Sequence, residues 1–521
     1  MMSSSTTAKA LLTRLPSSIA LLAGSTLLLS ACSVANSEPP SADASGTLRI
    51  VLPLEPTTLE ACDSTLASTG VLVRSNVTEP LIERDPTTGD LEPLLATEWE
   101  ATSDTEWTFT LRDDVTFQDG ALFNAEAAAN AIHRAVNSDL GCDVEGQIFG
   151  DPELALTVVD ETTLVVTTEE PDPVLPLRLS FIEISAPSEE IGKVREPIGT
   201  GPYEIENWDA GVKINLVRND DYWAETPAYS AAEYQWRSEG TVRAAMVTNG
   251  EADIAMSLSA EDGAGDLGLT YPNNETVALR FSGDIAPLDD IRIRQAINYA
   301  IDRAGITDSL YKEESVPAAQ IVPAGVGGFN PDLEPWEYDL DRAKELVAEA
   351  KADGVPVDEK ITIVARNDQF PRIAQLTEVL QEQLNQAGLN VEAKVAETSV
   401  GLQYQVRPFV RDEGAIAMLI QHGNQAGDAS FSVDSYMTSN AAMSMFGTAD
   451  FDSILEEASV KTGDDRQQAY ADAFAYEREE VVQFAFIAHM TGMIAKSAAV
   501  NYEPNSASGD ELRLSEMTPA S

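Results

Sequence analysis

Residues 341–396 read DRAKELVAEAKADGVPVDEKITIVARNDQFPRIAQLTEVLQEQLNQAGLNVEAKVA. Ala343, Leu346, Val347 and Ala350 recur at helical spacing and share one face, with Asp341 as the expected cap. Gly354 stops that helix, because glycine adopts the left-handed conformation that closes a helix end. Ile361 to Ala365 is a continuous apolar run, the mark of a buried strand. Ile373, Leu376, Leu380, Leu384 and Ala387 line a second helix that ends at Gly388. Val391, Ala393 and Val395 alternate with polar residues, as on a further strand. Helix, strand, helix, strand predicts a layered α/β fold in which helices cover a sheet.

The same alternation extends towards the N-terminus. Folded structure is expected to begin near Thr47, at the apolar run Leu48 to Leu52. Trp107, Phe109 and Leu111 alternate as on a half-buried strand. Asp119-Gly120 is a hairpin-type turn signal, and Asn124 caps a helix over Ala125 to Val136. Thr163 to Thr168 reads as a strand, and Tyr203 to Trp208 and Val212 to Val217 as two more, joined at Ala210-Gly211. Ile291 to Arg303 is helical in character. No tandem repeat at solenoid periods is present.

The 521 residues suffice for two or three domains. Against 33 basic residues stand 86 acidic ones, a net charge of −53. Such a surface repels phosphate backbones, which excludes nucleic-acid partners, and it disfavours lying flat on anionic lipid. Lys9 and Arg14 precede the apolar run Ile19 to Ala31. That run is shorter than the about 20 residues a spanning helix takes, and it suits a signal-peptide core. It ends in Leu29-Ser30-Ala31-Cys32, which resembles the lipobox of bacterial lipoproteins. The resemblance implies cleavage after residue 31 and acylation of the Cys32 sulfur. Residues 32–46 would then be the lipidated cysteine and a flexible Pro/Ser-rich tether. Cys62 and Cys142 remain as an even pair in an exported chain, which points to a disulfide. It would close a loop of roughly 80 residues, worth about 4 kcal/mol in the chain-entropy model. No Cys-x-x-Cys spacing exists, and no metal or cofactor is assigned.

Four segments carry a further likeness. Asn76-Val77-Thr78-Glu79-Pro80-Leu81 is followed by Leu91-Glu92-Pro93-Leu94-Leu95-Ala96-Thr97-Glu98-Trp99. Residues 108–132 read TFTLRDDVTFQDGALFNAEAAANAI. Gly199-Thr200-Gly201-Pro202-Tyr203 precedes Arg218-Asn219-Asp220-Asp221-Tyr222-Trp223, and residues 290–302 read DIRIRQAINYAID. In this order they resemble the extracellular solute-binding proteins of family 5, the oligopeptide-, dipeptide- and nickel-binding proteins of ABC importers. The resemblance implies an α/β fold of the periplasmic-binding-protein kind (type II, cluster C). Two main lobes and an extra domain would enclose a ligand at the hinge cleft. Residues 47–73, 195–280 and 488–521 would form domain I, 74–194 the extra lobe, domain II, and 281–487 domain III. Chain crossings near Phe281 and His489 would form the hinge. Gly199 and Gly201 suit a tight bend, with Pro202 fixing the exit.

The resemblance also places ligand groups in three segments. The first holds Ser75, Asn76 and Glu79, after the opening strand. The second is the crossing strand with Arg280 and Phe281. Arg280 reads either as a fork for a ligand carboxylate or as an ion-paired structural arginine. The third is the loop HGNQAGDASF, which supplies His422, Asn424, Gln425, Asp428 and Phe431. Peptide-binding relatives carry an early aspartate there, which pairs the peptide's α-ammonium. Here Asn424 and Gln425 stand near that position, and Asp428 is the one carboxylate left. Nickel-binding relatives place a histidine just after the aspartate, where Ala429 and Ser430 stand here.

The expectation is a receptor and not an enzyme. The sequence has neither a Gly-x-Ser-x-Gly elbow nor a His-Glu-x-x-His helix. The protein would capture a small solute, a peptide in the first instance, and deliver it to the membrane subunits of an ABC permease. It would act as a monomer, lipid-anchored on the extracellular face of the cytoplasmic membrane or periplasmic. The alternatives are a ligand-presenting sensor lipoprotein of the same fold, or a receptor for a metal chelate or a sugar.

Overall fold

The structure is a computed structural model that describes residues 46–521, apart from 66, 151–152, 188–191, 312–314, 368, 411–413, 505–510 and 521. The signal segment, Cys32 and residues 33–45 of the tether lie outside the described residues.

One mixed sheet dominates. Its strands are β1 (Thr47–Leu52), β2 (Tyr203–Asp209), β3 (Lys213–Arg218), β4 (Ala231–Trp236), β5 (Ile254–Ala255), β6 (Gly268–Phe281), β7 (Ser315–Pro317), β8 (Lys360–Arg366), β9 (Asn390–Ala396), β10 (Ala415–Gly423) and β11 (Phe484–Lys496). They lie in the order β2-β3-β4-β1-β5-β11-β6-β10-β8-β9, with β7 on β11. β1 runs parallel to both β4 and β5, and β8 runs parallel to both β9 and β10. Two long antiparallel strands, β6 and β11, join these halves. Gly268 to Pro272 pair with Thr491 to Ala495, whose end adjoins β5. Glu275 to Phe281 pair with β10 on the other side. Between Pro272 and Thr276 the β6–β11 register slips. That slip, opposite the stretch beside His489, is where the strand partners change. Phe281 is already the far end of β6.

Four helices matter below: α1 (Ala67–Val73), α2 (Leu340–Ala352), α3 (Ile373–Gln386) and α4 (Ala429–Tyr436). α2 buries Ala343, Leu346, Val347 and Ala350, and α3 buries Ile373, Leu376, Leu380 and Leu384. These faces cover β8, β6 and β10 in one apolar core. Gly354 and Gly388 follow at φ +91° and +94°. Two expectations shift. The cap of α2 is Asp339, whose side chain accepts the Arg342 N–H, and not Asp341. β9 is an edge strand of this sheet, so Val391 is buried but Val395 is 44% exposed.

A second sheet, antiparallel, orders Ala96–Ser103, Glu106–Leu111, Thr163–Thr167 and Ala155–Asp160. The helix Ala125–Val136 packs on it, capped by Asn124 Oδ1 on the Ala127 N–H. Asp119-Gly120 makes its turn, with Gly120 at φ +85°. Cys62 and Cys142 form a disulfide that ties the segment before α1 to this lobe.

Candidate functional site

α1 and the loop after β10 face each other across a cavity of about 380 Å³. That volume falls in the roughly 300–1,000 Å³ range of small-ligand sites. Ser64, Thr65, Gly70 and Arg74 form one wall. Gly70 and Arg74 are four residues apart, so they share a face. Ile148 and Phe181 of the smaller-sheet lobe extend that wall. Opposite lie His422 to Ala426, then Phe431 and Ser435 on α4 and Met443 beyond it.

The loop is braced from within. Asn424 Oδ1 accepts the Gly427 N–H, and its Nδ2 donates to the Asp428 carbonyl and to Ser432 Oγ. Arg84 Nη1 donates to the Gln425 carbonyl at 2.6 Å. Asp428 caps α4 by accepting from the Ser430 N–H and hydroxyl. It also receives Arg466 Nη2 at 2.7 Å and Nε at 3.0 Å. Burial alone would raise the Asp428 pKa, but the Arg466 pair and the Ser430 bonds outweigh it and hold it below the usual value. Phe431 carries the Arg178 guanidinium 4.7 Å from its ring centre, which brings the helix Leu175–Leu179 against α4.

His422 Nε2 lies 2.7 Å from Ser432 Oγ, and its ring packs 4.6 Å from that of Tyr436. Across the sheet Thr276 stands level with both His422 and His489, and its Oγ1 is 2.9 Å from His489 Nδ1. Burial pushes both imidazoles down to about 4, so both are neutral at pH 7. The cavity walls therefore offer hydrogen-bonding groups, aromatic faces and one guanidinium, which is equipment for holding a solute. Among the described residues no cluster of three or more His, Cys, Asp or Glu is placed to hold a metal.

The model of the bacterial extracellular solute-binding proteins, family 5, middle region, matches residues 90–444, more than half of the chain. The chain belongs to this family. The nickel-binding periplasmic protein of Escherichia coli K12 is 28% identical over 361 residues, 62% of this chain and 66% of that protein. The glutathione-binding protein GsiB of Salmonella typhimurium is 30% identical over 317 residues, 57% and 58% of the two chains. The chain thus spans less than two thirds of the length of both relatives. The crystal structure of the ABC transporter substrate-binding protein CtaP of Listeria monocytogenes shares the fold. The TM-score is 0.79 at 21% identity, covering 92% of this chain and 100% of that one.

In this family 5 protein the sequence motifs converge on one buried carboxylate. Glu79 accepts from Thr200 Oγ1 and Tyr222 Oη, each at 2.7 Å, and from Trp223 Nε1 at 2.9 Å. Burial still raises its pKa. Glu79 therefore fastens two motifs together and does not reach the cavity. Gly199 and Gly201 do not take positive φ. A Cβ on Gly199 would stand 1.9 Å from the Val77 oxygen, and one on Gly201 2.5 Å from the Asn76 oxygen. Close approach of two backbones, and not a bend, requires glycine there.

The structure brings His422, Asn424, Gln425 and Phe431 to the cavity and puts the other candidates elsewhere. Asn76 donates to the Leu512 carbonyl and accepts the Leu514 N–H, so it pins the C-terminal segment. Ser75 donates to Glu511 Oε1 at 2.6 Å, beside the cavity and not on it. Arg280 points into the apolar face shared with Ala278. It donates to the Tyr404 and Gln405 carbonyls and lies near the Phe409 and Tyr436 rings. Phe281 faces the opposite core with Leu279. Asp428 is consumed by Arg466. Arg74 and Phe181 line the cavity without having been expected there. The available signal for Arg74 was a lone cation closing the apolar stretch Val71 to Val73.

His422 gives a test of this wall. Its folded pKa of about 4 lies below the unfolded value of about 6.5. A depressed base stabilises the fold above pH 6.5 and loses that contribution as pH falls towards 4. Between pH 7 and 4.5 the loss is expected to be roughly 2–3 kcal/mol. Urea denaturation at both pH values should therefore show wild type losing that much more than His422→Gln. Equal losses would mean that the imidazole is solvated in the folded state.

Proposed function

We propose that this protein is the solute receptor of an ABC importer. It captures a small solute outside the cytoplasmic membrane, a peptide in the first instance, and hands it unchanged to the permease. The observation that carries this reading is the cavity walled on one side by α1 and on the other by β10 and α4. The two halves of the sheet that hold these walls are joined by β6 and β11, whose register slip suits a hinge. We take residues 47–73, 195–280 and 488–521 as domain I, 74–194 as domain II and 281–487 as domain III, with the pivot at the slip. Family membership supports a binding role, and relatives named for nickel and glutathione leave the solute class broad.

The motif Leu29-Ser30-Ala31-Cys32 supports a lipid anchor on the extracellular face of the membrane. No helix among the described residues is long and apolar enough to cross a membrane. A single chain supplies both cavity walls, which supports action as a monomer.

Thermal unfolding with short peptides, sugars and nickel chelates tests the reading. A true solute should stabilise by about 2.7 kcal/mol at a hundredfold excess over its dissociation constant, and be recovered intact. Stabilisation by a non-peptide class alone would replace the peptide. Conversion of the solute would overturn the receptor.

A further inference from the structure

The cavity is free of acid on a very acidic molecule. None of the described residues lining it is Asp or Glu, and Arg74 is the one Arg or Lys among them. The whole chain carries −53. Arg74 is 9% exposed, with its guanidinium 5.0 Å from the Phe181 ring centre. Its closest carboxylate oxygen, Glu183 Oε1, is 3.8 Å from Nε, too far for a hydrogen bond. Nε has no acceptor, and no described residue accepts from its Nη atoms. On the same wall Ser64 Oγ is buried without a partner.

The carboxylates around Arg74 attract its charge without hydrogen-bonding to it. Arg84 and Arg513 lie behind Arg74, in a cluster with Glu83, Glu183 and Glu511. Burial pushes Glu183 up to about 8 and Glu83 up to about 7. Glu511 is ionised: burial opposes it, but Arg513 and Arg74 hold it down to about 2. Arg513 pairs with Glu83, Glu511 and Glu516, so Glu83 and Glu511 are shared with another guanidinium, and none of the carboxylates nearest Arg74 accepts a hydrogen bond from it. A buried cation with open N–H groups is costly until an acceptor arrives. An ammonium group would find no carboxylate on these walls.

We propose that Arg74 is the anion-receiving residue of the cavity, assisted by Ser64 Oγ, and that the solute is a carboxylate-bearing molecule held by its acid end. This deepens the receptor reading and rests on it. The planar guanidinium can grip both carboxylate oxygens in parallel, with Phe181 behind it. A peptide would place its C-terminal carboxylate at Arg74 and its amine away from the cavity walls.

The test is calorimetric titration of the purified protein with short peptides and small mono-, di- and tricarboxylates, each paired with its carboxamide. Acids that bind wild type are expected to bind roughly 10- to 100-fold more tightly than their amides. Arg74→Gln should erase that preference, and Arg74→Lys should keep part of it. The acid–amide comparison on wild type does not depend on how any variant folds. Equal binding of acid and amide, or acid binding unchanged in Arg74→Gln, would overturn the assignment. So would failure of every carboxylate to bind. Saturable binding of an uncharged sugar alone would overturn it while leaving the receptor intact. Turnover of a bound solute would overturn the receptor, and this inference with it.

Discussion

Gly199→Ala is expected to destabilise the protein by more than about 4 kcal/mol, a loss reserved for severe packing faults. The added Cβ would lie 1.9 Å from the Val77 oxygen and 2.7 Å from the Thr78 Cα. These are backbone atoms, so no rotamer change relieves the clash. The segment has little room to retreat. The Gly199 N–H donates to Gln118 Oε1, and its carbonyl accepts the Gln118 N–H. Gln118 Nε2 in turn holds the Val77 and Tyr203 carbonyls. Any shift also pulls Thr200 from Glu79, leaving a buried carboxylate short of a donor. Urea denaturation, or the absence of a folded fraction, reads the outcome. A loss below 1 kcal/mol would show that the two backbones are not in contact.

Asp428→Asn is expected to cost about 3–5 kcal/mol of stability, the cost of breaking a buried ion pair from one side. Arg466 is 7% exposed, and its remaining acceptors are the Ala458, Ser459 and Lys461 carbonyls. The change would also loosen the α4 cap, because Asp428 Oδ1 receives the Ser430 N–H. Solute affinity of the protein that remains folded should stay near wild type, since Asp428 does not line the cavity. Denaturation combined with titration separates the two effects. Full stability with lost binding would restore Asp428 to the ligand site.

The layered fold was legible because its helices have one-sided apolar faces. Leu346 and Val347 on α2, and Leu376 and Leu380 on α3, declare their burial through spacing alone. The outer half of β9 was not legible. Alternation at Val391, Ala393 and Val395 describes a strand but not whether anything covers it, and an edge strand leaves Val395 bare. The site was readable as segments and not as side chains. The loop His422 to Phe431 does reach the cavity, yet its carboxylate turns to Arg466. That pairing joins residues 38 apart in sequence, which no local pattern reveals. Arg280 and Phe281 alternate across β6, so each is buried on its own face of the sheet. Glu79 stood among the ligand groups because the family resemblance places such groups in the segment after the opening strand. Its partners Thr200, Tyr222 and Trp223 show instead how the motifs hold one another. Arg74 lies next to Ser75, and only the helical turn of α1 decides which of the two faces the cavity.

A crystal structure with the tightest-binding solute tests the central claim most directly. One unaltered molecule is predicted between Arg74 and Phe181 on one side and His422 and Phe431 on the other. A solute bound outside that cavity, or a chemically changed one within it, would contradict the account.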